Sequence, residues 1–536
     1  MGVTLPAIFL SYDLLNDLDQ REKGPGSNPV KESIKTLKKL WAQHKYFYSP
    51  FVTGTLAFTF YKIFINSPSD QKGYYGDSLL TTFLTVVKII PHYLKLLIFP
   101  ITLIADYSYD AFPLVSSPFD WSFLVSATFL ILLLLILVRM VTRKKWIAFG
   151  GIWFFITLLP VCHIIPHHEL LAEHYLYLPS YGFCLIIALL FTTLLENKKY
   201  LPLILPAFIA IIALFSLRIV DRNRDWKDGM ALWSKTVNTV PRCARAQNNL
   251  GVEYVKERKY SEALTHFKTA TEINPEYAEA YNNMGLAYKE QGMYDDALNS
   301  FWSAMELKRR YFEARNNAAN TFAQKGDNDN AIRMLKNTLK KRPGYAQAHN
   351  NLGVIYLKTG QFDLAQEHFS RTLTIDSSNL EALNNLGALY RNRGMYDRAM
   401  EEFKKALKLN PDSAAVHCNL GTVYNNKAWY DRAISELKEA LRLKPDFVDA
   451  MNNLGNAYRG KGWYNKAIET YKKTLEINPN LAIPHVNIAS IYLYQEKDNK
   501  KALYHFEKAL EIEPDFPQAR AIRKKIEELK QEIPLA

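Results

Sequence analysis

Concentrated basic runs are missing from this chain: no stretch of five or more consecutive Lys or Arg occurs in its 536 residues. A net charge of +13 without a basic stripe argues against nucleic-acid binding. Cysteine is scarce, at Cys162, Cys184, Cys243 and Cys418. No CxxC pair or metal-ligand spacing joins them, so buried, inert thiols are the plain reading. Residues 1–15 lack a basic start and no small-residue cleavage site follows, which predicts no cleaved signal peptide. Charge itself is short in one region. Residues 1–240 hold only 22 of the 66 Lys+Arg and 16 of the 53 Asp+Glu, which argues against a single soluble enzyme. Aromatics are plentiful, with 29 Phe, 32 Tyr and 9 Trp, and this excludes intrinsic disorder.

The charge-poor region, residues 1–225, reads as a polytopic membrane domain. A spanning helix needs about 20 mostly apolar residues, and five stretches qualify: 47–66, 121–139, 146–165, 175–195 and 201–220. The sequence ILLLLILV within 121–139 is apolar on every helix face, unlike a water-soluble core helix. Residues 79–105 are apolar but interrupted by Lys88, Pro91, His92, Lys95 and Pro100. Proline removes a backbone donor, so a pair of half-buried interfacial helices is expected there. Residues 3–15 resemble the end of another helix. Positive loops mark the cytoplasmic side. Arg139, Arg143, Lys144 and Lys145, then Lys198 and Lys199, then seven Lys/Arg within 16–46 all fall on one side of the five spans. Everything after Val220 is thereby expected on the opposite face, in the periplasm, exterior or ER lumen.

After a linker or first helix at 226–243, the chain repeats every 34 residues. Gly251, Gly285, Gly353, Gly387, Gly421 and Gly455 sit on one grid, with Ala319 and Ala489 at its remaining points. An aromatic follows three places later in each unit, from Tyr254 to Tyr492. Proline closes most units, at Pro275, Pro343, Pro411, Pro445 and Pro479, with Pro514 one place off the grid. This is the tetratricopeptide pattern of two antiparallel helices per unit. It predicts eight repeats over 244–515, stacked as a superhelix and closed by a capping helix within 516–536. The fold class is therefore all-α, a transmembrane helical domain followed by a tetratricopeptide superhelix.

One column exceeds the needs of the scaffold. Asn249, Asn283, Asn317, Asn351, Asn385, Asn419, Asn453 and Asn487 share a position on the first helix of every unit, although asparagine is a mediocre helix former. An amide donates and accepts, so a ladder of them can hold the backbone of an extended polypeptide partner. Alternatively, each Asn bonds its neighbouring repeat, or is consensus only. The array resembles that of O-GlcNAc transferase, and the resemblance implies acceptor-protein binding. Six residues beyond the column stand Lys289, Arg391 and Arg459, broken by Leu357 and Leu493. These cations could pair with ligand carboxylates, or belong to a solvated helix face.

The densest polar cluster near the membrane is His163, His167, His168, Glu169, Glu173 and His174. It has no HExxH arrangement, so no metal site is assigned; a Glu and a His there could instead meet a lipid phosphate or assist an acid/base step. The segments LLTTFLTVVKIIPHYLKLLIFPITLIADYSY, ELLAEHYLYLPSYGFC and RIVDRNRDWKDGMALW, followed by tetratricopeptides, resemble the transmembrane-and-tetratricopeptide O-mannosyltransferases and their C-fold relatives. The resemblance implies sugar transfer from a polyprenyl-phosphate donor to protein acceptors, without a cofactor. It implies donor-phosphate contacts at Glu173, His174 and Arg224, and membrane lipid as a neighbour. The membrane would be bacterial inner membrane or ER, with the repeats on its periplasmic or lumenal side. Two departures stand out. The acidic pair of the family's first outer loop has no match, since Asp106 and Asp110 do not fit that motif, and His174 replaces a common Arg. No catalytic base is therefore assigned. Either the chain starts inside the family's span, or it is a non-catalytic, membrane-tethered adaptor using its groove to recruit proteins.

Overall fold

A computed structural model describes residues 78–100, 112–159, 171, 173–196 and 201–532. The chain divides into two compact units, Met1–Arg310 and Tyr311–Ala536.

Among the described residues, the first unit opens with five apolar helices. They are α1 (Leu79–Ile98), α2 (Trp121–Arg143), α3 (Lys145–Leu158), α4 (Tyr177–Leu195) and α5 (Leu201–Asp225). Four of them, all but α3, are long and apolar enough to cross a membrane. α1 corrects the expectation of two interfacial helices. It runs unbroken through Pro91, capped by the Ser78 side chain accepting from the backbone amides of Leu80 and Thr81. A single proline removes one donor. Ile89, Tyr93 and Leu96 on either side of it pack into a buried cluster with Phe154 and Leu158 of α3, and this burial offsets the loss. The stretch expected at 146–165 is helical over Lys145–Leu158, only 14 residues, and 160–165 lies outside the described residues, as does 47–66.

α3 and α4 meet through glycines. A Cβ on Gly150 would lie 2.7 Å from the carbonyl oxygen of Gly182, so only glycine permits this backbone approach, as is common where helices associate in lipid. Trp153 Nε1 donates to the Leu178 carbonyl at 2.9 Å across the same seam. In contrast, α5 exposes Leu203, Ile209, Ile212, Leu214 and Leu217. Apolar side chains left outward around a whole helix suit hydrocarbon, not water.

The unit continues with α6 (Gly229–Thr239) and two repeats, α7–α8 (Ala244–Lys256, Tyr260–Ile273) and α9–α10 (Ala278–Glu290, Tyr294–Leu307). The second unit is a superhelical stack of six: α11–α12 (Phe312–Lys325, Asn328–Lys341), α13–α14 (Ala346–Lys358, Phe362–Ile375), α15–α16 (Leu380–Asn392, Tyr396–Leu409), α17–α18 (Ala414–Asn426, Tyr430–Leu443), α19–α20 (Val448–Gly460, Tyr464–Ile477) and α21–α22 (Ala482–Ile491, Asn499–Ile512). The helix α23 (Ala519–Glu532) closes it, with Ile522, Ile526 and Leu529 buried.

Within a repeat, the grid glycine of the first helix receives an aromatic ring from the second. A Cβ on Gly387 would lie 2.6 Å from Phe403, whose ring is fully buried. The off-grid Pro514 also has a structural cause. In the last repeat a single π-turn, Tyr492–Glu496, follows α21 and takes up one extra residue, the usual way a helix accommodates an insertion.

The turns between paired helices need a left-handed residue at one grid position. Gly394 and Gly462 supply it at φ 74° and 80°, while Ala428 is held there at φ 57°. A Cβ in this region costs about 1–2 kcal/mol. Ala428→Gly is therefore expected to stabilise the protein by about 0.5–1 kcal/mol after the entropy of glycine is subtracted. Chemical denaturation followed by circular dichroism measures this, and a lower midpoint would contradict the assignment of strain.

Candidate functional site

The ladder asparagines lie on the first helices of the repeats, half-buried except for Asn351, which is buried. Their amide nitrogens reach back 35 residues to the asparagine that precedes the ladder position in the previous repeat. Asn283 Nδ2 donates to Asn248 Oδ1 at 2.9 Å. In the second unit Asn351 donates to Asn316 at 2.7 Å, Asn385 to Asn350 at 3.2 Å, Asn419 to Asn384 at 2.9 Å and Asn487 to Asn452 at 3.5 Å. The neighbour-bonding alternative thus describes the NH2 groups of these residues. Asn249 differs, accepting from Asn248 Nδ2 at 3.3 Å. Asn317 lies on α11, half-buried.

Sequence reasoning missed the acceptor column, Asn248, Asn316, Asn350, Asn384 and Asn452. The signal was the doubled NN, whose first residue is the more buried in the first four repeats. The column breaks at Cys418. There Asn453 Nδ2 donates to Thr422 Oγ1 at 3.0 Å and lies 3.9 Å from Cys418 Sγ. Burial pushes the Cys418 thiol up to about 11, so it stays neutral and inert.

The position six residues on leans toward the next repeat. Arg391 Nη1 donates to Asn419 Oδ1 at 2.9 Å, and Arg459 Nη1 to Asn487 Oδ1 at 3.0 Å. Asn425, between them in sequence, donates to the Asn453 carbonyl at 2.9 Å. Lys289 instead pairs with Glu290 at 3.1 Å.

Between the two helices of certain repeats lies a second polar device. His349 Nε2 donates to the Pro343 carbonyl at 3.1 Å, and its Nδ1 meets His368 Nδ1 at 2.9 Å. His485 and His505 repeat this pairing at 2.8 Å, while His417 faces Glu436 at 2.6 Å. Burial chiefly, and then the charge of His485, lowers His505 to about 4.

The membrane-side residues are less complete. Glu173 and His174 open a single 3-10 turn, Glu173–Leu176, and their side chains lie outside the described residues. The other members of that cluster, His163, His167, His168 and Glu169, lie outside them too, as do Asp106 and Asp110. Arg224 sits exposed on the last turn of α5. The buried guanidinium there is Arg222, paired with Asp225 at 3.1 Å and 5.6 Å from the Trp226 ring. Nothing in the RNRDW string separates Arg222 from Arg224, because that distinction depends on helix phase.

Two outcomes follow. Asn351→Ala strands the buried Asn316 oxygen and is expected to cost about 1–3 kcal/mol. Conversely, Cys418→Asn restores the broken rung and should add about 0.5–1 kcal/mol; urea unfolding of both variants reads the signs. The second outcome concerns acid. A lowered histidine favours folding above its free value near 6.5 and loses that contribution as pH falls toward about 4. The melting temperature should drop across this window more steeply in the native protein than in His505→Gln, as differential scanning fluorimetry would record.

Residues 67–134 match the family described as protein O-mannosyl-transferase TMTC, DUF1736. Tetratricopeptide families match segments from 251 to 516. The chain is 24% identical to mouse protein O-mannosyl-transferase TMTC1 over 39% of its own length and 23% of that protein. It is 30% identical to Drosophila melanogaster protein O-mannosyl-transferase Tmtc3, over 23% of this chain and 13% of that one. The matched region thus spans about a quarter or less of these relatives. Among solved structures, a crystal structure of MamA is similar at 30% identity with a TM-score of 0.28, covering 30% of this chain and 94% of that one. The chain carries the TMTC DUF1736 domain ahead of tetratricopeptide repeats, as a member of the TMTC family does.

Proposed function

We propose that this protein holds extended polypeptide acceptors in its repeat groove for O-mannosylation at a membrane surface. In this reading the apolar helices face a polyprenyl-phosphate sugar, with Glu173, His174 and Arg224 near the donor phosphate. The repeats stand on the lumenal or periplasmic side of a multi-pass membrane domain. The observation that carries it is the ladder from Asn351 to Asn487. Its amides are fixed in register by neighbouring repeats, so the groove presents side chains at regular intervals without prior reorganisation. Names borne by the TMTC relatives support the sugar chemistry. The basic loops at 139–145 and 196–200 support the sidedness.

The decisive assay incubates the purified full chain with polyprenyl-phosphate mannose and unfolded acceptor polypeptide. Mannose on the acceptor is the expected result. Acceptor binding without transfer would replace this reading with that of a membrane-tethered adaptor. Sidedness is read separately, by adding protease to sealed vesicles with their cytosolic face outward. The repeats should survive intact, and their digestion would overturn the placement.

A further inference from the structure

Three consecutive repeats of the second unit present the same helix position in an unusual state. Arg391 and Arg459 are half-buried, and among the described residues neither has a carboxylate partner. Burial lowers the Arg391 guanidinium from its usual value, opposed only by the neighbouring Cys418 thiol. Each arginine gives one Nη1 to a ladder asparagine, and Arg391 Nη2 also reaches Asn392 Oδ1 at 3.4 Å. A guanidinium has five N–H donors, so both retain capacity. Between them in the repeat order, Asn425 uses its Nδ2 on the Asn453 carbonyl, while its buried Oδ1 has no hydrogen-bond partner.

Half-buried cations lacking a counterion, and a buried acceptor lacking a donor, are each costly alone. Their complement is one ligand type: carboxylates for the two guanidiniums and an N–H for the oxygen. From this we infer that Arg391, Asn425 and Arg459 form a subsite for an extended acidic peptide, whose backbone N–H meets Asn425 and whose carboxylates meet the flanking arginines. This rests on the groove-binding reading above and names the chemistry of its ligand. First helices of successive repeats are in side-chain contact through the ladder, so they stand about 8–10 Å apart. Two repeats then cover roughly 16–20 Å, which an extended chain crosses in about five or six residues. Acidic residues at that spacing are the expected recognition pattern. Lys289 is excluded from the subsite because Glu290 already neutralises it.

The test uses the full chain in detergent micelles and fluorescence anisotropy. The probes are two labelled Gly/Ser/Thr peptides, one carrying Glu about five residues apart and the other Gln at the same places. The Glu peptide should bind at least about tenfold more tightly, the value of one charged hydrogen bond, and less tightly as salt rises. Arg391→Gln with Arg459→Gln should abolish the preference, since glutamine can still bond the ladder asparagine but carries no charge. The corresponding Arg→Lys pair should recover part of it, and Arg398→Gln, an exposed residue of α16, should change nothing. Asn425→Leu should weaken both peptides alike. Circular dichroism confirms that each variant is folded.

Equal binding of the two peptides would overturn the acidic subsite while leaving groove binding intact. Binding of neither would overturn both. A Glu preference that persists in the Arg→Gln pair would place the charge recognition elsewhere and overturn the assignment.

Discussion

A contact between a ring and a missing side chain sets the geometry of the repeats. Gly251 meets Phe267, Gly285 meets Phe301, Gly353 meets Phe369, Gly387 meets Phe403 and Gly455 meets Tyr471, each ring fully buried. Adding a Cβ at any of these glycines would drive it into the ring. The contact therefore fixes how closely the two helices of a repeat approach. Gly421 keeps the same space but receives Leu437. The column tolerates a change of ring to branched chain so long as the volume is apolar. The Tyr471 hydroxyl, where a Phe would leave nothing to satisfy, donates to Asn456 Oδ1 at 2.7 Å.

The polar ladder depends on that spacing, because an amide-to-amide bond forms only when neighbouring first helices arrive at a constant distance and phase. Hydrophobic burial is non-directional and would allow repeats to slip against one another. Hydrogen bonds between asparagines do not, since a slip of one residue removes the acceptor. The outer surface repeats the device with charge. Asp363 holds Arg393, Asp397 holds Lys427 and Asp431 holds Lys461, each pair 30 residues apart. Exposed pairs contribute little stability; their regular spacing still opposes a shift in register. Groove and outer surface are thus locked by directional bonds around a non-directional core.

Much of this was legible in the sequence because it is periodic. A 34-residue grid names the helix pairs and the asparagine column, and the structure has both where the grid puts them. What escaped was the partner of each ladder residue. The grid shows that asparagine recurs, but the amide crosses to residue i−35, an offset visible only once two helices are packed. The proposed ligand contacts accordingly add Arg391, Asn425 and Arg459, a column that looked broken because Leu357 and Leu493 interrupt it. Non-periodic segments were harder. Two prolines suggested an interrupted segment at 79–105, yet α1 passes Pro91 because its packing against α3 compensates one lost bond.

The membrane-side half obeys a different solvent, and this explains why its polar groups are few and fixed. Where water is absent an unmatched polar atom has no alternative partner. Thr85 Oγ1 accordingly accepts from the Val115 amide at 2.9 Å and donates to the Thr81 carbonyl at 2.7 Å. Lys88 Nζ donates to the Pro113 carbonyl at 3.1 Å and lies 5.1 Å from the Phe112 ring. At the end of α5, Arg218 Nε donates to the Pro100 carbonyl at 2.9 Å, and Arg222 is folded between Asp225 and Trp226. Lys88, Arg218 and Arg222 each already have an oxygen or a ring. The half-buried arginines of the groove have only amides. That difference in saturation, more than residue type, separates the cations that hold the fold from those of the proposed peptide subsite.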